Sequence, residues 1–438
     1  MSSVPAPAPV ARTAPILVAA AALGAGIGLI FPLLAEFQDR YGFSAAGLGL
    51  ISGASFLAAL VSGVLLAGLA DRGHARLLLV GGLVLSAAGL FWFAFGTQLW
   101  QFVGARLLEG LGAGIYFPAA RKIITSGDPL NAGRHLGTLT SAELGGFLLG
   151  PVIGAGMTQL IGLDAPFILI GTVKLCLAAW LTTVALPPVA VDVRHRSPLA
   201  SIAMLRRPAI SGAALLSLAL FLPVGAYDAL WSRYLTDRGA GTIFIGVGLS
   251  LYAVPVILLA PWGGRLADRF GPVRAATWAI LVIVPATAAY GLLAWPLAIT
   301  AVALIEGIPQ GVASPAVQTA MLRACRPEEV AAGQGLANAV NQVGAAATAL
   351  AAPVVYGRPV RPLCSWGSVC SWRCSSRWGW SCTAAAASAT CPSLRPPQAE
   401  APVPWPRGVD VSYPSLNPTQ AVWGAGRGRV AAAAATRA

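Results

Sequence analysis

Eleven stretches of about twenty mostly apolar residues succeed one another along the chain, at 15–37, 45–70, 77–95, 99–119, 136–161, 166–186, 209–232, 242–264, 275–294, 297–318 and 333–356. Polar residues gather in the short gaps between them. A hydrocarbon core roughly 30 Å thick takes about 20 residues of helix to cross. A backbone facing lipid must pair its N–H and C=O groups within its own segment. The pattern therefore predicts eleven membrane-crossing helices. Gly and Ala abound inside them, which suits close helix approach in lipid.

The most polar gap is Gly264–Arg274, GRLADRFGPVR, and Ala67–Arg76, AGLADRGHAR, is a weaker copy of it. Asp71 and Asp268 stand 197 residues apart (268 − 71), and the same step carries Glu109 to Glu306, Gly110 to Gly307, Gly114 to Gly311 and Pro118 to Pro315. Matches in one register imply an internal duplication of about 200 residues. GRLADRFGPVR resembles the signature that the major facilitator superfamily of secondary transporters carries between the second and third helices of each half. The second copy keeps Gly264, Asp268, Arg269 and Gly271; the first keeps Asp71 and Arg72 but has Ala67 and His74 at the glycine positions. The resemblance spans residues 15–357. It implies an all-α membrane protein of two six-helix bundles, with the first and fourth helices of each half around a central cavity and the third and sixth outermost. It also implies that the two Asp-Arg turns latch helix ends and gate conformational change.

Composition agrees. Of 438 residues, 56% are hydrophobic and 10% charged, with mean hydropathy +0.72; a soluble domain carries roughly 25% charge. The net charge of +13 is scattered between apolar runs, with no compact basic domain and interleaved aromatics, so no nucleic-acid partner is expected. There is no GxxxxGK[ST] loop, no metal-ligand cluster and no Ser/His/Asp set. The chain reads as neither an enzyme nor a nucleotide-driven pump, and no cofactor is expected; the energy would come from an ion gradient. With the N-terminus inside, fifteen Lys and Arg flank the cytoplasmic ends against three (Arg40, Arg233 and Arg238) outside, which sets a cytoplasmic N-terminus.

Five segments follow: a Pro/Ala leader at 1–14, an N-terminal bundle at 15–186, a polar cytoplasmic linker at 187–208, a C-terminal bundle at 209–357, and a tail at 358–438. The apolar run after the leader is too long for a cleaved signal and reads as an uncleaved first span. The tail has nine Arg, no Lys and five Cys, and no window in it makes a convincing twelfth span. It reads either as a disordered tail or as the product of a shifted reading frame near codon 358, which translation of the other two frames would reveal.

Charges inside apolar spans are costly and are candidates for function. Arg106 and Glu109 share a helix face at i, i+3. Their run, RLLEGLGAG, resembles the family's fourth-helix signature, which implies proton transfer or substrate binding at Arg106. A structural pair pinning two helices is the alternative. Glu306 is the repeat mate of Glu109 but has Ala303 where an Arg would match. It is a candidate protonation site, or it lies near outer water, or it pairs across the halves. Glu143 precedes Gly146, Gly150, Pro151 and Gly154, a run that resembles the fifth-helix signature of the exporter branch. Those glycines permit close packing and Pro151 a bend, and Glu143 is a candidate proton or cation site. Asp228, with Tyr227 and Trp231, reads either as a cation-attracting cavity mouth or as an interfacial belt with Asp228 paired to Arg233 or water. Lys174, on a span that the family places at the lipid edge, is expected to snorkel or pair. The resulting expectation is a monomeric, proton-coupled exporter of small amphipathic or drug-like molecules. Its partners are the substrate, protons and the lipid bilayer of the cell membrane. The alternatives are a proton symporter importing a nutrient and a non-transporting truncated relative.

Overall fold

The computed structural model describes residues 13–66, 73–127, 132–186, 202–326 and 329–357, all within one compact unit. Asp71 and Arg72, the 187–201 part of the linker and the 358–438 tail, where a twelfth span was sought, lie outside the described residues. The elements among the described residues are α1 (Ala14–Ile30), α2 (Leu34–Tyr41), α3 (Ala45–Leu66), α4 (Ala75–Ala94), α5 (Leu99–Gly127), α6 (Ala132–Leu160), α7 (Ala165–Thr183), α8 (Pro208–Thr236), α9 (Thr242–Phe270), α10 (Pro272–Ala289), α11 (Pro296–Ala324) and α12 (Val330–Tyr356), with short 3₁₀ turns at Met204–Arg206 and Tyr290–Leu292. No strand occurs among them.

Each of the eleven apolar stretches is helical. Nine helices are long and apolar enough to cross a membrane, or ten when the bent pair α1 and α2 is taken as one crossing. The eleventh, α5, is 29 residues long but carries Arg106 and Glu109. The first stretch is broken where Pro32 interrupts it, and the two pieces meet at 48°. Proline has no N–H to continue the ladder.

The duplication is visible in the backbone. α3, α4 and α5 begin at 45, 75 and 99; α9, α10 and α11 begin at 242, 272 and 296, each 197 later. The packing repeats too. A Cβ on Gly110 would run into the Ser55 carbonyl, and one on Gly307 would lie 2.9 Å from the Tyr252 carbonyl, which is Ser55's repeat mate. A Cβ on Gly114 would lie 2.7 Å from Ala59 O and one on Gly311 2.9 Å from Val256 O, again mates. Between helices in lipid there is little hydrophobic force, so backbone approach over small residues carries the packing.

The Asp-Arg turns obey the backbone rather than the register. Gly271 has φ +89°, a conformation that only glycine adopts freely; its mate His74 does not, and Gly73, one residue earlier, takes φ +90° instead. A Cβ on Gly264 would have open space around it, whereas one on the neighbouring Gly263 would lie 2.7 Å from Gly311 O. Asp268 pairs with Arg323 of α11 at 2.8 Å, and Arg269 lies over the Phe270 ring. Arg76 does a comparable job in the first half. It donates to the carbonyls of Leu181, Thr182 and Val184 and so closes the C-terminus of α7.

α6 packs on α1 through an alternating seam. Gly146, Gly150 and Gly154 lie against the carbonyls of Ala21, Ala25 and Leu29, while Gly24 and Gly28 lie against those of Glu143 and Phe147. Neither helix can gain a side chain there without separating. Gly146→Val is expected to cost about 3 kcal/mol, the upper range for overpacking, and to cut the amount of folded protein in the membrane severalfold. Quantifying detergent-extracted, monodisperse protein checks this; an unchanged yield would remove the seam from the account.

α10 turns Trp278, Leu281, Val282 and Val284 outward, and α7 turns Leu169, Val173 and Trp180 outward. The third and sixth positions of a half are therefore peripheral, as the resemblance implies. The two halves touch through α3 with α12 and α6 with α9. Described hydrogen bonds between them run from mid-depth to the end that holds Asp39. Besides an interior contact of Arg106 with Asp228, they comprise Ser250 to Leu148 O (2.5 Å), Thr242 to Glu36 (3.3 Å), Ser232 with Pro32 and Ala35, and Arg233 to Asp39.

Candidate functional site

Four charges meet in the interior. α5 places Arg106 and Glu109 one helical turn apart, and the guanidinium Nη1 donates to Glu109 Oε2 at 2.6 Å. Its Nη2 donates to Asp228 Oδ2 at 2.9 Å. Asp228 comes from α8, in the other half, eight residues before the helix end (236 − 228) and so about 12 Å along the axis from it. Lys174 of α7 donates to Ser86 of α4 at 2.8 Å, and its Nζ lies 3.9 Å from Glu109 Oε1. A side chain at Gly26 would occupy the place of that ammonium. Arg106 and Glu109 are 1% and 2% exposed, Asp228 and Lys174 0%.

Two cations thus face two carboxylates in a dry site, and the cluster is neutral as a whole. Desolvating one such charge alone costs several kcal/mol or more, so the four stand or fall together. They are not saturated. Arg106 Nε, Glu109 Oε1 and Asp228 Oδ1 are buried without a hydrogen-bond partner, and Ser52 Oγ faces Asp228 but falls short of bonding it. Buried polar atoms are seldom left so.

A second carboxylate site lies within the C-terminal half. Glu306 of α11 is buried, and its oxygens accept from Tyr227 OH (2.8 and 3.1 Å), Tyr290 OH and Thr287 Oγ1 (3.5 Å). No cation joins it among the described ion pairs. Trp231 stacks edge-on to Tyr227 and Tyr290, at 5.3 and 5.2 Å between ring centroids. Hydroxyls suit a group that changes charge, because each can donate to a carboxylate or accept from the protonated acid. The two sites are adjacent on α8: Tyr227 binds Glu306, and Asp228 binds Arg106.

The model of the Major Facilitator Superfamily matches residues 16–349. The chain belongs to that superfamily. It is a multi-pass membrane transporter that handles small-molecule substrates, not an enzyme. Among curated proteins it is 27% identical over 318 residues to the multidrug resistance protein MdtG of Serratia proteamaculans, covering 69% of this chain and 76% of that one. Against MdtG of an Escherichia coli strain it is 26% identical over 319 residues, covering 68% and 76%. Among solved structures, a bacterial homologue of the human lysosomal transporter Spinster, inward-facing and unoccupied, superposes with TM-score 0.68 at 17% identity over 80% of this chain and 82% of that one. The nucleoside transporter NupG gives 0.66 at 14% identity over 78% and 90%. At those identities the structural likeness shows the fold alone.

Within this superfamily frame, the predicted Arg106–Glu109 pair forms. Asp228 is neither a cavity-mouth carboxylate nor the partner of Arg233. It is sealed in the interior against Arg106, and Arg233 pairs instead with Asp39 and with Asp237 (2.5 Å). Glu306 reaches neither outer water nor the other half, because Tyr227, Tyr290 and Thr287 are all its own half's residues. Of the two alternatives for Lys174 the structure takes pairing, with Ser86 and Glu109, rather than snorkelling to lipid. Glu143 joins neither cluster. It is half-buried on α6, with Tyr116 and Arg121 as its electrostatic neighbours. Gly146, Gly150 and Gly154 serve the α1 seam, and Pro151 meets Gly246 of α9 across the halves. Sequence reasoning missed Ser86, Tyr290 and Thr287, polar residues in apolar spans that carry no charge to flag them.

Proposed function

We propose that the chain is a proton-coupled exporter of small amphipathic or drug-like molecules, working as a monomer by alternating access. The observation that carries this is the Arg106 guanidinium held between Glu109 of one repeat and Asp228 of the other, at depth, with polar atoms of the cluster left unpartnered. Such a group responds to protons and to whatever enters between the halves. Arg106, Glu109 and Asp228 serve as the site between halves, Glu306 with Tyr227 as a proton site, Trp231 as an aromatic wall, and Glu143 as a further proton or cation site. The MdtG relatives are named for multidrug resistance, which supports the substrate class.

In this reading residues 15–186 and 209–357 are the two rocking bundles, joined by 187–208, with 1–14 a leader and 358–438 outside the transport machinery. The N-terminus is cytoplasmic, the Asp71 and Asp268 turns gate on that side, and the closed Asp39 end faces outward. Cysteine labelling that put positions 71 and 268 on opposite faces of the bilayer would contradict the arrangement.

The functional test is proton flux in proteoliposomes of known sidedness, challenged with a panel of amphipathic compounds. Compound efflux against inward proton movement is expected, and Glu143→Gln should abolish it while the protein still inserts. Co-directional movement would identify an importing symporter. No compound-linked proton movement across the panel would sink the coupling.

A further inference from the structure

At the Asp39 end the halves meet around the break in the first crossing. α1 ends at Ile30, α2 begins at Leu34, and Pro32 lies between them. The break withdraws backbone groups from the helical ladder. Ser232 of α8, in the other half, satisfies two of them. Its Oγ accepts from Ala35 N at 3.1 Å and donates to Pro32 O at 2.8 Å, and Ser232 is fully buried. Ala35 and Ser232 are themselves repeat mates, 197 residues apart.

α2 has two faces. Leu34 and Phe37 go into the N-terminal half, where the Phe37 ring packs edge-on to Phe93, Phe102 and Phe167 at 5.0, 5.3 and 5.6 Å. Ala35, Glu36 and Asp39 face the C-terminal half and meet Ser232, Thr242 and Arg233. The apolar face keeps α2 with its own half, so parting the halves here must break the polar contacts. Those contacts are unequal. Asp39 is 58% exposed and Arg233 27%, and ion pairs at water contribute little. Arg233 also retains Asp237 when Asp39 leaves. The Ser232 bonds are dry and bind backbone groups that have no other partner in the broken turn.

We propose that Ser232 is the positioning residue for alternating access at this end: by bridging the broken turn at Pro32–Ala35 to α8 it sets the balance between closed and open, while the neighbouring Arg233–Asp39 pair does not. The proposal rests on the reading that the halves part at this end during transport. Opening would hand both backbone groups to water and leave Ser232 Oγ free.

The test is a distance measurement between spin labels at Ile161 and Leu292, exposed positions of the two halves at the same end. The full chain, its seven cysteines replaced by serine, is reconstituted in lipid nanodiscs. Loss of two buried hydrogen bonds predicts that Ser232→Ala raises the open-to-closed ratio about tenfold. Ser232→Thr, which keeps the hydroxyl, should restore it to within about threefold, and Arg233→Ala or Asp39→Asn should move it less than about threefold. A ratio unmoved by Ser232→Ala, or moved as much by Arg233→Ala, overturns the proposal. A single distance in every variant at every pH overturns the transport reading itself, so the two failures are told apart.

Discussion

Arg106→Ala is expected to abolish transport while the protein still reaches the membrane. The substitution leaves Glu109 and Asp228 buried, with Lys174 as the remaining cation and its Nζ 3.9 Å from Glu109. Removing one partner from a buried ion cluster costs about 3–5 kcal/mol. At roughly 1.4 kcal/mol per factor of ten, that is at least about a hundredfold if it falls on the transport cycle. Part of it will fall on stability, so the amount of protein must be measured beside the flux. Adding Asp228→Asn to Arg106→Ala leaves Glu109 opposite Lys174 with no stranded carboxylate, and should recover protein but not flux. Arg106→Lys keeps the charge but not the fork that reaches two carboxylates at once, so it should recover protein and less than about a tenth of the flux. Normal transport by Arg106→Ala would reduce the cluster to a structural pin.

Glu306→Gln is expected to uncouple rather than unfold. Glutamine fills the same space and can bond Tyr227, Tyr290 and Thr287, but it cannot exchange a proton. Substrate should still equilibrate down its own gradient, while accumulation driven by a pH gradient should fall by at least about tenfold, since a positioned proton carrier contributes that much or more. Tyr290→Phe removes one hydroxyl and leaves the carboxylate, so it should weaken accumulation without ending it. If Glu306→Gln still concentrated substrate against its gradient, the coupling proton would have to sit elsewhere, with Glu143 the next candidate.

What the sequence disclosed is what local spacing encodes. The crossings were legible because twenty apolar residues in a row have one use in a membrane. The duplication was legible because its step is constant, and Arg106–Glu109 because three residues along a helix is one turn. The Arg106–Asp228 contact was not legible. Its partners are 122 residues apart, and local reasoning tied Asp228 to Arg233, the cation nearest in sequence. Tyr290 was hidden in the 3₁₀ turn that follows α10, and Ser232 looked like any small polar residue in an apolar helix. Its role depends on backbone groups that a proline elsewhere releases. His74 misled for the opposite reason: strict register named it, but the turn needs a positive φ and Gly73 supplies it.

Gly146, Gly150 and Gly154 of α6 and Gly24 and Gly28 of α1 leave those two helices backbone against backbone, and α6 also accepts from Ser250 of α9 through Leu148 O. α1 and α6 therefore shift as one plank, and a tilt of the second bundle against α6 is handed on to α1 and to its break at Pro32.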